Sequence, residues 1–440
     1  MLKINNAEER MKKEIFDKVT KYYKEYASKF SKKGNFIQAA QKKYDEKELI
    51  SAVDAVLDCW WTEGKKTKEF EEKFNKFLGI KNTIIVNSGS SANFLALKTL
   101  TSMKLGDKRI LPGDEAITVA AGFPTTINPI LDCNLVPVFC DVDIPTYNIN
   151  INSLKKAITK KTKVIFIAHT LGNPFNLKEV VNICKKNNIW LIEDNCDSLG
   201  SKYNGRFTGT FGDISTFSFY PAHHMTMGEG GALCTNNALL AKIARSIRDW
   251  GRDCWCGTGE DNSCKNRYGW KLGQLPEGYD HKYIYSEIGY NLKNTDLNVA
   301  LGLAQIEKLQ RFISSRKDNF KILKERLLKF NKYLILPEST QNSEPSWFGF
   351  PITLREDCNF KRESLLKYLN DNKIGTRLLF GGNITKQPYF IDYKIKYRIV
   401  NNLSNTDLIM NNTFWIGIHP LIGNEEIDII YKAFESFFEK

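Results

Sequence analysis

A loop near the middle of the sequence has two histidines at a place where its surroundings favour a lysine. The stretch SFYPAHHMTMGEGGA runs from Ser218 to Ala232 and contains no lysine. A short strand followed by a glycine-rich turn is typical of a loop that carries a Schiff-base lysine, two residues after Pro221. That position holds His223, which can move a proton near neutral pH but cannot form an imine. The loop therefore predicts proton-transfer chemistry, against the plainer alternative of packed or surface histidines.

A second stretch has the residue types that bind a phosphate group. In NSGSSANFLAL (87–97), Gly89, Ser90 and Ser91 stand at a predicted turn from a strand into a helix. Backbone N–H groups and hydroxyls at the N-terminus of a helix bind anions. Ser218, at the start of the histidine loop, adds a further candidate contact. Ordinary helix capping is the alternative for these residues taken alone.

A third stretch supplies a carboxylate that suits a pyridine ring. In IWLIEDNCDSLGS (189–201), an apolar strand ends in Glu193 and Asp194. Ligands of open α/β sheets bind at the carboxyl ends of parallel strands, and a carboxylate there can hold the proton of a pyridinium nitrogen. Phe123, in AAGFPTTINP, is a candidate to stack on such a ring. Turn capping by Asp194 and core packing of Phe123 remain open as alternatives.

Four cysteines form a separate group. Cys196 lies two residues after Asp194, and Cys254, Cys256 and Cys264 crowd into RDCWCGTGEDNSC, with the spacing C-x57-C-x-C-x7-C. In a reducing compartment such crowding predicts metal ligation before disulfides. Four thiolates suit an iron–sulfur cluster or a structural zinc ion, and ligand count does not separate them. The nearness of Cys196 to Asp194 favours a redox role.

Composition limits the class of protein. The chain has 440 residues, 42% of them hydrophobic and 26% charged, which is ordinary for a globular protein. The net charge of +13 comes from scattered lysines, without the interleaved aromatic patch that predicts nucleic-acid binding. The sequence contains no apolar run of about 18 residues, so it predicts no membrane-spanning helix. The charged start, MLKINNAEERMKKEIFDKV, is not a secretory signal, so we expect a cytoplasmic protein.

The elements that must position these residues follow an α/β pattern. Between about 80 and 235, short apolar strands alternate with helices, which predicts a mainly parallel sheet covered on both faces. Residues 251–285 are irregular, and a loop of this length is usually functional. A helix is predicted over 294–330. We expect three parts: an N-terminal helical extension (1–50), a large cofactor-binding domain (51–315) and a small C-terminal α/β domain (316–440).

From about residue 50 to 440, the order of these motifs resembles the fold-type I, PLP-dependent sugar aminotransferases of the DegT-like group. The stretches that carry the resemblance are NSGSSANFLAL, GFPTTINP, PVFCDVD, LIEDNCDSLGS, TFSFYPAHHMTMGEGGA and GYNLKNTDLNVALGLAQIEKL. The resemblance implies that Asp194 binds the pyridine nitrogen and that Ser218 helps to hold the phosphate. It also implies a homodimer in which Asn291 reaches the phosphate bound to the neighbouring subunit.

Within that group, SFYPAHH resembles the 3-dehydrases of nucleotide-linked 4-keto-6-deoxyhexoses. The resemblance implies that pyridoxamine 5′-phosphate (PMP) is bound non-covalently. His223 would take a proton from the cofactor while the C3 hydroxyl of the sugar leaves. The cysteine spacing resembles that of the branch in which Cys196, Cys254, Cys256 and Cys264 bind a [2Fe–2S] cluster. That branch implies an NAD(P)H-dependent reductase with flavin and iron–sulfur centres as partner.

The same branch implies CDP-4-keto-6-deoxy-D-glucose as substrate, in 3,6-dideoxyhexose synthesis for surface polysaccharides. Three alternatives stay open: a dTDP- or GDP-linked sugar, a cluster-free dehydratase that regenerates PMP from glutamate, and a non-catalytic protein that kept the fold. An aminotransferase is disfavoured because the loop lacks the lysine.

Residues 375–390, GTRLLFGGNITKQPYF, match a segment that helps to build the substrate pocket in these dehydrases. The match implies Arg377 and Lys386 as diphosphate contacts and Tyr389 as a pocket residue. His224 is a further candidate near the substrate, with support of the loop as its alternative role.

Overall fold

Capped helices and short apolar strands alternate in the computed structural model of the chain, which describes residues 6–32 and 36–439. The helices are α1 (Asn6–Glu25), α2 (Glu46–Leu57), α3 (Lys65–Leu78), α4 (Gly89–Leu100), α5 (Pro124–Asp132), α6 (Ile151–Ala157), α7 (Leu177–Asn187), α8 (Ala238–Arg248), α9 (Asp296–Ile306), α10 (Leu309–Leu327), α11 (Arg362–Asp371), α12 (Pro388–Asp392), α13 (Ser404–Asn412) and α14 (Asn424–Phe438). None of these helices is both long and apolar enough to cross a bilayer.

The strands are short, as the apolar runs of the sequence predict. They are β1 (Asn82–Val86), β2 (Glu115–Val119), β3 (Val136–Cys140), β4 (Val142–Asp143), β5 (Asn148–Ile149), β6 (Thr162–Ala168), β7 (Trp190–Asp194), β8 (Lys202–Tyr203), β9 (Arg206–Phe207), β10 (Ile214–Ser218), β11 (Gly231–Thr235), β12 (Leu334–Ile335), β13 (Ser343–Glu344), β14 (Phe350–Leu354), β15 (Thr376–Leu378), β16 (Arg398–Ile399) and β17 (Thr413–Ile416).

The central sheet has eight strands in the order β1-β11-β10-β7-β6-β2-β3-β16. The pairs from β10 to β16 are parallel, and β11 runs antiparallel to both of its neighbours. Strand β11 reverses because the histidine loop that joins it to β10 contains no helix, and a parallel crossover needs one in most cases. Helices cover both faces and bury an apolar core on each side. The α/β fold with a mainly parallel sheet is confirmed.

A four-stranded antiparallel sheet, β12-β14-β17-β15, forms the centre of the C-terminal part. Its core packs against α10, α11 and α14. The helix predicted over 294–330 is instead two helices, α9 and α10, which separate at Glu307 and Lys308. Strand β16 returns to the large sheet and pairs with β3, so part of the C-terminal region packs on the large domain.

The N-terminal region is helical only in part. Helix α1 and the short 3₁₀ helix Ala27–Lys32 come first, and residues 36–45 then run without a helix to α2. The predicted helical extension 1–50 also includes residues that lie outside the described part of the chain. The extended segment is held against the small domain, and it reaches the candidate site described below.

Residues 251–285 are irregular, as expected, apart from the 3₁₀ turn His281–Tyr283. An aromatic cluster forms around the buried ring of His281. The ring of His281 stacks on Trp270 at 4.6 Å between centroids, and Trp255 meets it edge-on at 5.4 Å. His281 Nε2 lies 3.0 Å from Asp253 Oδ2, so the residue just before Cys254 is fixed.

Candidate active site

A cavity of about 790 Å³ opens at the carboxyl ends of the parallel strands, where sheets of this kind bind ligands. The ends of β2, β6 and β7 reach it, together with the N-terminus of α4 and the histidine loop. Its volume lies within the usual range for small-molecule sites. The sequence-predicted residues that line it are Gly89, Ser90, Phe123, Asp194, Cys196, Ser218, His223 and Arg377.

The carboxylate of Asp194 is held by three donors at the end of β7. Its Oδ2 accepts hydrogen bonds from Asn93 Nδ2 at 2.9 Å and from Thr126 Oγ1 at 2.7 Å. Its Oδ1 accepts the N–H of Cys196 at 3.1 Å. Asp194 is 4% exposed, so the carboxylate is fixed in one orientation at the cavity floor, as a partner for a pyridine nitrogen must be.

The N-terminus of α4 opens to the cavity beside this carboxylate. Ser88 caps the helix and accepts the N–H of Ser91 at 3.0 Å. The N–H groups of Gly89 and Ser90 have no acceptor in the described part of the chain, so they remain free for a phosphate. A Cβ on Gly89 would stand 2.4 Å from Ser218 Cβ, so only glycine lets the helix approach the end of β10. Ser91 does not line the cavity.

His223 projects from the loop after β10 into the same cavity. Its main-chain N–H donates to Tyr220 O at 3.0 Å, and its ring packs against Phe348 with the ring centroids 5.2 Å apart. Nδ1 of His223 lies 3.4 Å from Asp197 Oδ1 and has no other partner among the described residues. Asp197 thus faces the Nδ1 edge of the ring, which leaves Nε2 as the candidate nitrogen for proton exchange.

His224 points away from the cavity. It is 2% exposed, and its Nε2 lies 2.8 Å from the carbonyl oxygen of Ser346. Burial, and then the positive charge of Arg316, lower the pKa of His224 well below its usual value. His224 therefore stays neutral and ties the loop to the small domain, as its alternative role predicts.

The thiols of Cys254 and Cys264 both lie beside that of Cys256. Cys254 and Cys256 line a second cavity, which does not include Cys196. Burial opposes ionisation of Cys256, but Ser263, Cys254 and Cys264 lower the pKa of its thiol to about 7. The described residues nevertheless contain no group of three or more His, Cys, Asp or Glu side chains placed to hold a metal ion.

Helix α4 separates Cys196 from these cysteines. A Cβ on Gly89, its first residue, would stand 3.1 Å from Cys196 Sγ. Beyond its last residue, Lys104 Nζ lies 3.4 Å from Oδ1 of Asp253, the neighbour of Cys254. A helix of 12 residues is about 18 Å long. Cys196 therefore lies near the first turn of α4, whereas the loop cysteines follow a residue bonded beyond its last turn.

The remaining predicted residues divide between the cavity and the surface. Phe123 is 51% exposed at the rim and meets Phe380 edge-on. Lys386 is paired with Asp407 at 2.8 Å, and Tyr389 donates to Asn128 at 3.0 Å. Asn291 is exposed outside the cavity, bridged to Asp249. In one protomer, the cavity therefore lacks Lys386, Tyr389 and Asn291.

Several residues of the site were not predicted from the sequence. Thr126 and Asp197 line the cavity, whereas Asn93 belongs to the site through its hydrogen bond to Asp194. Asn93 and Thr126 lie inside the quoted motifs, and Asp197 is three residues after Asp194, so polar side chains near a predicted site were the available signal. Lys42 and Trp415 also line the cavity. They come from segments far away in the sequence and carried no signal of their own.

Comparison with known proteins agrees with this geometry. The chain is 57% identical over 392 residues to lipopolysaccharide biosynthesis protein RfbH of Salmonella typhimurium, covering 89% of each chain. It is 50% identical over 396 residues to dTDP-4-dehydro-2,6-dideoxy-D-glucose 3-dehydratase of Saccharopolyspora spinosa, covering 90% of this chain and 85% of that one.

A solved structure of Escherichia coli GDP-4-keto-6-deoxy-D-mannose-3-dehydratase with bound hydrated PLP matches with a TM-score of 0.82 and 31% identity, over 91% of this chain and 99% of that one. The model of the DegT/DnrJ/EryC1/StrS aminotransferase family matches residues 43–435. With most of its length matched, the chain belongs to the DegT/DnrJ/EryC1/StrS aminotransferase family.

Proposed function

We propose that this chain is a PMP-dependent 3-dehydratase of a nucleotide-linked 4-keto-6-deoxyhexose. The observation that carries the proposal is His223, which faces the cavity from a loop without a lysine. A histidine can move a proton there but cannot hold the cofactor as an imine. The similar proteins named as 3-dehydratases of dTDP- and GDP-linked sugars support the same reaction class.

The residues of the cavity fit a pyridoxamine phosphate. When bound, PMP would supply an amine for the ketone of the sugar and an electron-poor ring that favours removal of a proton from the cofactor carbon beside it. Gly89 and Ser90 would bind its phosphate through free N–H groups, with Ser218 beside them. Asp194, held by three donors, would hold the proton of the ring nitrogen. Phe123 would cover the ring at the open rim.

His223 would perform the proton transfer through Nε2. Its Nδ1 faces Asp197, so an N–H at Nδ1 pointing to the carboxylate leaves Nε2 able to accept a proton. Asp197 also stabilises the ring once it is charged, as a carboxylate does beside other catalytic histidines. The departing C3 hydroxyl of the sugar needs a proton, and His223 is the cavity residue suited to return one.

We propose CDP-4-keto-6-deoxy-D-glucose as the substrate to test first, on the resemblance of the cysteine spacing. The names of the relatives favour dTDP- and GDP-linked sugars as comparators. Similarity to a lipopolysaccharide biosynthesis protein supports a place in the synthesis of a surface sugar. A homodimer is part of the proposal, because Asn291 lies exposed outside the cavity of its own protomer.

The [2Fe–2S] cluster and its NAD(P)H-dependent reductase remain proposals. The spacing of the four cysteines in the sequence supports the proposal, and a cluster would supply one-electron transfer. Cys196 and the loop cysteines lie near opposite ends of α4. A four-cysteine cluster would therefore need Cys196 of a second copy. This separation also favours the second candidate function, a cluster-free dehydratase that regenerates PMP from glutamate.

Anaerobic absorption spectra with iron and sulfide analysis, followed by assays on the three nucleotide ketosugars, test these proposals. We expect non-covalent PMP and loss of the C3 hydroxyl from one sugar. Product formation that requires a reductase and iron supports the cluster, whereas glutamate-driven turnover without iron supports the second candidate. Bound PMP with no sugar consumed would overturn both.

A further inference from the structure

The segment that joins the N-terminal helices to α2 is fixed along the small domain. We call residues 36–45 the strap. Ile37 forms a parallel bridge with Ile374, and the carbonyl oxygen of Ile37 accepts a hydrogen bond from the N–H of Gly375 at 2.8 Å. His419 Nε2 lies 3.0 Å from Gln38 O. A Cβ on Gly417 would stand 2.5 Å from the same oxygen, so the strap packs closely on the sheet of the small domain.

The other end of the strap is anchored as well. The carbonyl oxygen of Lys43 accepts a hydrogen bond from Gln305 Nε2 at 3.0 Å, and Lys43 Nζ donates to Pro420 O at 3.4 Å. Asp45 then caps α2 by accepting the N–H of Lys47. Since both ends are fixed, the residues between them hold a defined position.

Those residues line the cavity that contains His223. Lys42 contributes to its wall, and it also lines a crevice beside His223 and Arg316. Lys42 is exposed and has no ion-pair partner among the described residues. Its ammonium group is therefore available to a ligand that enters the cavity.

One other cation on the cavity wall is equally available. Arg377 is exposed, and its guanidinium donates only to its neighbour Thr376 O, at 2.8 Å, in the described part of the chain. By contrast, Lys386, the other cation predicted to bind a diphosphate, is neutralised by Asp407 and lies outside the cavity. The cavity thus offers two unpaired positive charges beyond its cofactor floor.

We propose that Lys42 and Arg377 together bind the diphosphate of the nucleotide sugar, so that the strap forms part of the substrate site. The proposal rests on the proposed function, which requires a substrate with two linked phosphates. Lysine and arginine are the side chains that bind phosphates most often, as point charge and as fork. The strap then supplies the contact that Lys386 does not.

The test compares Lys42→Ala, Lys42→Arg and Lys43→Ala in the PMP-loaded full chain. Calorimetric titration measures the Kd of CDP, dTDP, GDP and CMP, and PMP retention serves as a control. We expect Lys42→Ala to weaken the best-bound nucleoside diphosphate at least tenfold, about 1.4 kcal/mol, with a smaller effect on CMP. Lys42→Arg should recover most of the affinity. Lys43→Ala keeps the main-chain hydrogen bond that anchors the strap, loses only the exposed Nζ contact at 3.4 Å, and should change the affinity less than twofold.

Unchanged diphosphate affinity in Lys42→Ala, or equal losses with Lys43→Ala, would overturn the proposal. Failure to bind any of the diphosphates would do the same. If Lys42 governs diphosphate binding but no ketosugar is dehydrated, the proposed function fails and the assignment of Lys42 stands. If a ketosugar is dehydrated and Lys42→Ala has an unchanged KM, the proposed function stands and the assignment of Lys42 fails.

Discussion

Replacing Asp197 by asparagine tests whether that carboxylate makes His223 an effective proton carrier. The variant keeps the shape of the side chain but removes its charge, and the amide can present its N–H₂ group to Nδ1 of His223. The favoured proton position on the ring would then move from Nδ1 to Nε2. We expect kcat for sugar dehydration to fall while PMP stays bound, because Asp197 is not among the three donors that hold Asp194 and does not belong to the N-terminus of α4.

The distance between the two side chains sets the size of the loss in kcat. Nδ1 of His223 and Oδ1 of Asp197 are 3.4 Å apart, and the two side chains are only 16% and 13% exposed. Coulomb's law gives about 1.2 kcal/mol at this distance in water and about 5 kcal/mol at an effective dielectric constant of 20. At 1.36 kcal/mol per factor of ten, kcat should fall by about 8-fold to about 4 × 10³-fold.

The assay is a double-mutant cycle on single-turnover dehydration, with His223→Asn as the second substitution. If Asp197 acts through the ring, Asp197→Asn should cost little once His223 is absent. PMP affinity and the thermal midpoint of each variant are the controls. Losses that multiply in the double variant, or a kcat within twofold of wild type in Asp197→Asn, would refute the reasoning.

Two further predictions concern the cavity around His223, and a third concerns the cysteine loop. His223→Lys should bind PLP covalently, which would be seen as visible absorbance that borohydride removes. His223→Arg, which carries a charge but no reactive amine, should not bind PLP in this way. A colourless lysine variant would contradict the assignment of the loop. Thr126→Val removes a hydrogen bond to the charged Asp194, so PMP affinity should fall by about 1.5–3 kcal/mol in a fluorescence titration; an unchanged value would mean that two donors are enough. Cys254→Ser should lower bound iron in the purified protein, and Cys358→Ser, outside the four-cysteine group, should not. If Cys196→Ser leaves iron content unchanged, the fourth ligand is not Cys196 of either subunit.

The sequence predicted the sheet well because its strands are short, apolar and bounded by turns. It did not predict the direction of β11, which depends on the length and form of the loop before it. It also merged α9 and α10, since their apolar spacing continues across Glu307 and Lys308. Local patterns therefore located the elements, and their junctions depended on contacts made elsewhere.

The same division applies to the site. Gly89, Asp194, Ser218 and His223 were predictable because each lies at the end of an element, where the sheet collects polar groups. Lys386 could not be placed from the sequence, because its pairing with Asp407 depends on how two separate segments pack. Lys42 was missed for the same reason, since the strap reaches the cavity only through its contacts with the small domain.

The sequence by itself determined the chemistry of the loop, because replacing lysine by histidine removes imine formation whatever the surroundings are. It also determined that Glu193 and Asp194 face opposite sides of β7, since side chains alternate along a strand. Glu193 accepts N–H groups from Gly209, Phe211 and Gly212 beneath the sheet end, while Asp194 faces the cavity. Only the tertiary structure decided which cations remain free and how far Cys196 lies from the other three cysteines, because ion pairing and distance depend on how remote segments of the chain pack together.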